Sequence, residues 1–163
     1  MNHSVALCGF LTGVPLKELS NAFRGTPNSS TVDNWPWIWK DYKRAGYKTM
    51  FVQDSPEIGA FQFRMLGFEN QPTDFYGRNF YLLAEEFLRN LKGHPTLCLN
   101  GQQKSLVYLK YLREFLECYK NQPKFLFGMS LEFSHDDNAG VCEIYRVVYF
   151  KNENLKYKIL PIH

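Results

Sequence analysis

The sharpest polar cluster in the chain is Ser134-His135-Asp136-Asp137. A histidine followed by two carboxylates can bind a cation, orient a water or contact an anionic substrate, because imidazole changes charge near neutral pH and carboxylates are hard oxygen ligands. The same four residues also fit a helix N-cap followed by a surface histidine. They do not complete a metal site: side chains of adjacent residues cannot all point inward, and hydrolytic zinc centres draw ligands from several strand ends. The second candidate is Asp54, in Gln53-Asp54-Ser55-Pro56. It reads either as a functional carboxylate at a strand end or as the cap of a helix entered over Pro56. The chain contains no GxSxG elbow, Walker loop or HExxH helix. Cys8 lies in an apolar stretch and reads as a core thiol rather than a nucleophile. Trp35, Trp37 and Trp39 read as core rather than as a sugar platform, and His94 as a structural residue before Pro95. The candidates are therefore Asp54, His135, Asp136 and Asp137, with no complete catalytic set and no metal ligand set.

The elements that must position them follow from periodicity. Phe125 to Phe133 is a nearly continuous apolar run, the pattern of a buried central strand, and it delivers Ser134 to Asp137 at its carboxyl end. Tyr47 to Val52 is a second strand, which ends at Gln53-Asp54. Before it, Trp35, Ile38, Trp39 and Tyr42 recur at helical spacing. Asp33 or Asn34 can cap that helix, Pro36 suits its first turn, and Gly46 closes it. Residues 57–68 are weakly helical and close at Gly67. In the segment 75–91 the second half, Tyr81 to Leu91, is helical, broken by Lys92-Gly93-His94-Pro95. Residues 103–120 form the strongest helix, with Tyr108, Leu112, Phe115 and Tyr119 on one face. The apolar stretch Ser4 to Val14 lacks a basic segment ahead of it and reads as a buried helix rather than a signal peptide. Helix, glycine, short strand and acidic turn is the rhythm of an α/β fold. The tail differs: Val141 to Phe150 and Leu155 to Leu160 read as two strands of a hairpin.

Composition narrows the classes. A chain of 163 residues that is 45% hydrophobic and 21% charged can bury a core, which excludes disorder. Its net charge of +3, with no basic run longer than two residues, leaves no electrostatic footprint for nucleic acid. No apolar run reaches membrane-spanning length. The four cysteines form no CxxC pair, which argues against a zinc ribbon, and they fit either free thiols or two disulfides in any of three pairings. The sequons Asn2-His3-Ser4 and Asn28-Ser29-Ser30 add slightly to a secretory reading.

An ordered set of short motifs carries a family resemblance. It runs from Ala6-Leu7-Cys8-Gly9-Phe10-Leu11-Thr12-Gly13 through Trp37-Ile38-Trp39-Lys40-Asp41-Tyr42 and Ala45-Gly46-Tyr47-Lys48-Thr49. Asp54-Ser55-Pro56, Gly67-Phe68, Pro72-Thr73-Asp74-Phe75-Tyr76, His94-Pro95 and Cys98-Leu99 follow, and Ser134-His135-Asp136-Asp137 closes the series. Together they resemble a sulfatase-like family of nematodes, insects and other invertebrates, once filed as a domain of unknown function, within the alkaline-phosphatase superfamily. The resemblance implies a partial, mostly parallel sheet flanked by helices over residues 1–138, with a divergent tail over 139–163. It implies an extracellular or secretory setting. Complete members would use divalent metals and a Ser, Thr or modified Cys nucleophile to hydrolyse sulfate or phosphate esters. His135, in the matching Ser-His-Asp-Asp motif, would face the substrate or transferred group, while Asp136, Asp137 and Asp54 stay substrate-facing candidates from their strand-end positions. The nucleophile and the first metal-binding aspartate would fall upstream of Met1, and residues 139–163 show no later Asp-His metal pair. The expectation is an incomplete sulfatase-like protein, non-catalytic alone and without a cofactor of its own, with a sulfate ester, phosphate ester or glycan as ligand. The alternatives are a secreted non-catalytic binding module on the same partial fold and a hydrolase whose missing parts come from another chain.

Overall fold

A computed structural model describes residues 3–90, 98–99 and 101–131. The chain divides into two units, Met1–Leu131 and Glu132–His163, and the described residues belong to the first. The boundary expected after residue 138 and the hairpin expected beyond Val141 lie outside the described residues.

The centre is a three-stranded, all-parallel sheet. Strand β1 (Lys48–Gln53) lies between β2 (Phe75–Tyr76) and a later strand, Lys124–Met129. Two further two-residue strands, β3 (Cys98–Leu99) and β4 (Gln102–Gln103), pair antiparallel, so the later strand is β5. Along β1 and β5 the register runs from Lys48 opposite Lys124 to Gln53 opposite Met129. Among the described residues four α-helices flank the sheet: α1 (His3–Thr12), α2 (Ile38–Arg44), α3 (Arg78–Asn90) and α4 (Lys104–Cys118). This is the α/β architecture with a parallel sheet that the alternation of helix and strand patterns implies.

The two-residue period of the strands builds a core on each face. Phe51, Tyr76, Phe125 and Phe127 point to one side, where they meet Cys8 and Leu11 of α1 and the three tryptophans. Met50, Val52, Phe75 and Leu126 point to the other, against Tyr81 of α3 and Tyr108, Leu112 and Phe115 of α4. The first core is mostly aromatic. Trp37 and Trp39 stack at 4.6 Å between ring centroids, Trp39 stacks on Phe51 at 5.4 Å, and Phe61 meets Trp37 edge-on at 4.8 Å. Trp35 and Trp37 satisfy their indole N–H groups on Ser20 and on the Val32 carbonyl. Each such ring contributes about 2–3 kcal/mol through burial alone, so the tryptophans are core and not a sugar platform.

Several expectations need correction. The helix expected from Trp35 begins at Ile38, after a short 3-10 turn over Val32–Asn34. Asp33 does not cap it; its carboxylate accepts the backbone N–H groups of Glu69 and Asn70, each at 2.9 Å. Residues 57–68 are not helical. Their backbone bonds instead to residues 22–24, with Arg24 N–H donating to the Arg64 carbonyl and Leu66 N–H to the Ala22 carbonyl, each at 2.9 Å. This sinks Ala60, Phe61 and Met65 into the first core. Strand β2 was not expected, and α3 starts earlier than Tyr81. Strand β5 runs over Lys124–Met129, short of the expected Phe133; its residues are mostly half-buried, and among the described residues β1 alone pairs with it. The C-cap reading of Gly46 holds: its φ is +84°, and Tyr47 N–H returns to the Tyr42 carbonyl.

Candidate functional site at the carboxyl ends of the strands

The in-phase register of β1 and β5 brings Asp54 and Ser130 side by side, one residue past each strand. Asp54 is fully buried. Its backbone N–H donates to the Met129 carbonyl at 3.4 Å. Its carboxylate accepts the Ser130 hydroxyl at 2.5 Å and the Leu131 backbone N–H at 2.7 Å. A buried carboxylate is tolerable only with such donors, because leaving its charge unsolvated costs several kcal/mol. Asp54 therefore neither caps a helix over Pro56 nor faces open solvent. It ties the two strand ends together and fixes the backbone by which the chain leaves β5.

Around this clamp the edge is polar but filled. Gly128 lets the Tyr108 hydroxyl reach β5; a Cβ there would lie 2.6 Å from that oxygen. Burial first, then the charge of Asp54 and the nearness of Tyr81, pushes the Tyr108 phenol above its ordinary pKa. At the end of β2 the Tyr76 hydroxyl accepts a hydrogen bond from Gln62 Nε2 at 2.8 Å, and burial pushes that phenol up to about 12. Arg78 donates to the Pro56 carbonyl. At Gly59 a Cβ would sit 2.4 Å from Gln53 Oε1, so a side chain there would displace the Gln53 amide. The loop from Ser55 to Gly67 thus plugs the ends of β1 and β2. Between α3 and α4 a largely buried ion pair joins Lys104 to Glu85 at 3.4 Å. Burial raises the Glu85 carboxyl, and Lys104 offsets part of that rise.

Of the sequence candidates, the structure places Asp54; His135, Asp136 and Asp137 lie outside the described residues. Sequence reasoning missed Ser130 and Tyr108 as its neighbours. The signal was Gly128, an isolated glycine in an apolar strand, which marks a close approach by another group. Cys8 is buried and its thiol is pushed up to about 11 by that burial, as a core thiol should be. Among the described residues no three His, Cys, Asp or Glu side chains converge. The carboxylate at the strand ends, Asp54, accepts protein donors from Ser130 and Leu131. A surface groove of about 660 Å³ runs past Trp35, Trp37, Lys40, Lys43 and Arg44. Its tryptophans are buried, Lys40 is bound to the Asp33 and Trp35 carbonyls, Lys43 pairs with Asp74, and Arg44 pairs with Asp41. It offers no open ring face and no uncommitted cation. No helix among the described residues is long and apolar enough to cross a membrane.

A family model described as "Protein of unknown function (DUF229)" matches residues 2–152, nearly the whole chain. No curated protein and no solved structure matches it.

Proposed function

The chain belongs to the DUF229 family of proteins of unknown function, and from that premise we propose that it is a secreted, sulfatase-like protein of the alkaline-phosphatase superfamily that binds a sulfate or phosphate ester without hydrolysing it unaided. The observation that carries the reading is the Asp54 clamp on Ser130 and Leu131. Ligands of open α/β sheets gather at the carboxyl ends of parallel strands, and a site there needs those ends held in register. Asp54 supplies that hold. In the family motif that Ser134-His135-Asp136-Asp137 resembles, His135 is the group for the transferred sulfuryl or phosphoryl oxygens, with Asp136 and Asp137 beside it.

The non-catalytic half of the proposal rests on the side chains available as nucleophiles. A superfamily nucleophile must be an activated Ser, Thr or modified Cys. The thiol in the motif at the start of the chain, Cys8, is sealed in the core with a raised pKa, the reverse of activation. The alternative, a non-catalytic binding module stable by itself, draws support from the packed cores on both faces of the sheet.

The test is calorimetric titration of the purified chain with inorganic sulfate, p-nitrophenyl sulfate and p-nitrophenyl phosphate. Turnover and metal content are measured alongside, with calcium, magnesium, manganese and zinc each supplied. Binding abolished by His135→Ala, without turnover, is the expected result. Turnover with stoichiometric metal would overturn the non-catalytic reading, and absence of any binding would overturn the ester-site reading.

A further inference from the structure

We propose that Asn28 is an N-glycosylation acceptor, taking an oligosaccharide from a polyprenyl-diphosphate-linked donor. The inference rests on the secretory setting proposed above. Asn28-Ser29-Ser30 satisfies N-x-[ST] with a middle residue other than proline, and such a sequence becomes an acceptor only when it lies on an accessible loop.

The fold provides that loop. Asn28 is exposed and adopts a φ of +57°, a left-handed conformation that asparagine tolerates better than most residues, just after Pro27. The loop is pinned by groups other than the acceptor. Ser29, half-buried, donates its hydroxyl to the Phe23 carbonyl at 2.7 Å and the Thr26 carbonyl at 2.9 Å. Thr26 donates to the Phe23 carbonyl at 2.7 Å, and Ser30 N–H donates to the Asn21 carbonyl at 2.9 Å. The two groups that recognition and transfer require, the Asn28 amide and the Ser30 hydroxyl, take part in no hydrogen bond among the described residues. A glycan on Asn28 therefore breaks none of the hydrogen bonds that pin the loop among the described residues. The other sequon is less suited, because its Ser4 lies inside α1.

In the transfer, a bond forms between Asn28 Nδ2 and C1 of the first sugar while the bond from C1 to the diphosphate oxygen breaks. Nδ2 gives up one proton, the polyprenyl diphosphate departs, and nothing is oxidised or reduced. The Ser30 hydroxyl is the recognition element and is not consumed.

The experiment directs the full 163-residue chain into the endoplasmic reticulum of a eukaryotic cell with an appended leader, and compares it with the chain expressed without one. Glycans are released by an amidase in heavy-oxygen water, which converts an occupied asparagine to labelled aspartate, and the peptide spanning residue 28 is read by mass spectrometry. The expected result is label at Asn28, lost in Asn28→Gln. Because glutamine is strained at this φ, Ser30→Ala serves as a second variant, which removes the recognition hydroxyl and leaves the backbone unperturbed. A folded, luminal chain without label at Asn28 would overturn the proposal. Label in the leader-directed chain upholds the acceptor site whether or not the chain without the leader is labelled.

Discussion

Replacing Asp54 with alanine asks whether this carboxylate is a structural clamp or a group kept for a substrate. Among the described residues the carboxylate receives hydrogen bonds from buried or half-buried donors, the Ser130 hydroxyl and the Leu131 N–H. A hydrogen bond to a charged group is worth about 1.5–3 kcal/mol, and alanine would also leave the Leu131 N–H buried without this acceptor. The loss should be about 3–5 kcal/mol. At a urea m-value of about 2 kcal/mol/M, this lowers the unfolding midpoint by roughly 2 M. Asp54→Asn keeps one oxygen for Leu131 and can donate its amide to the Ser130 oxygen, so its loss should be about 1–2 kcal/mol. Ser130→Ala removes only one of the bonds. In a double-mutant cycle with Asp54→Ala, the double variant should cost at least about 1 kcal/mol less than the sum of the two single variants, because both remove the same contact. If Asp54→Ala folds within about 0.5 kcal/mol of the parent, the ordinary range of a surface change, the clamp argument fails. Asp54 would then be better explained as a residue held for a ligand.

Other outcomes follow from neighbouring contacts. Gly128→Ala should destabilise by about 1–3 kcal/mol through the clash with the Tyr108 hydroxyl, and adding Tyr108→Phe should recover part of that loss in urea melts. Burial alone would raise the Asp74 carboxyl, but Lys43 at 2.9 Å, with the Thr49 N–H and hydroxyl, holds it below the ordinary 3.8. The folded pKa is thus lower than the unfolded one, so the unfolded chain binds the proton more readily. The stabilisation is present above pH 4 and is lost as pH falls through the folded value. Thermal melts of Asp74→Asn should accordingly show a deficit at pH 7 that shrinks toward pH 2. Iodoacetamide at pH 8 should alkylate exposed Cys118 in the native chain and Cys8 only after unfolding, as read by peptide mass mapping, because burial keeps the Cys8 thiol protonated.

Periodicity made the helices and the two longer strands legible, because each is amphipathic about a core that the sequence itself supplies: Tyr108, Leu112, Phe115 and Tyr119 point inward from α4 as their spacing requires. The segment 57–68 was not legible, since its backbone partners are residues 22–24, more than thirty positions earlier, and no local pattern encodes a long-range pairing. The two-residue β2 was hidden for the same reason: it exists because Met50 and Phe51 offer it an edge. At the strand ends, the acid in Gln53-Asp54-Ser55-Pro56 was visible as a polar residue with a purpose, but not which purpose. A carboxylate after a strand looks the same whether it meets a ligand, a helix N-terminus or the neighbouring strand, and only the β1–β5 register decides. That register places Ser130 next to Asp54, which explains why a serine interrupts the apolar run Phe125 to Leu131 and why Gly128 precedes it. The serine gives the buried acid a donor, and the glycine admits the hydroxyl of Tyr108 from α4 against β5. Three residues that seemed unrelated in the sequence thus answer one electrostatic demand, that of a fully buried carboxylate at the exit of a parallel strand.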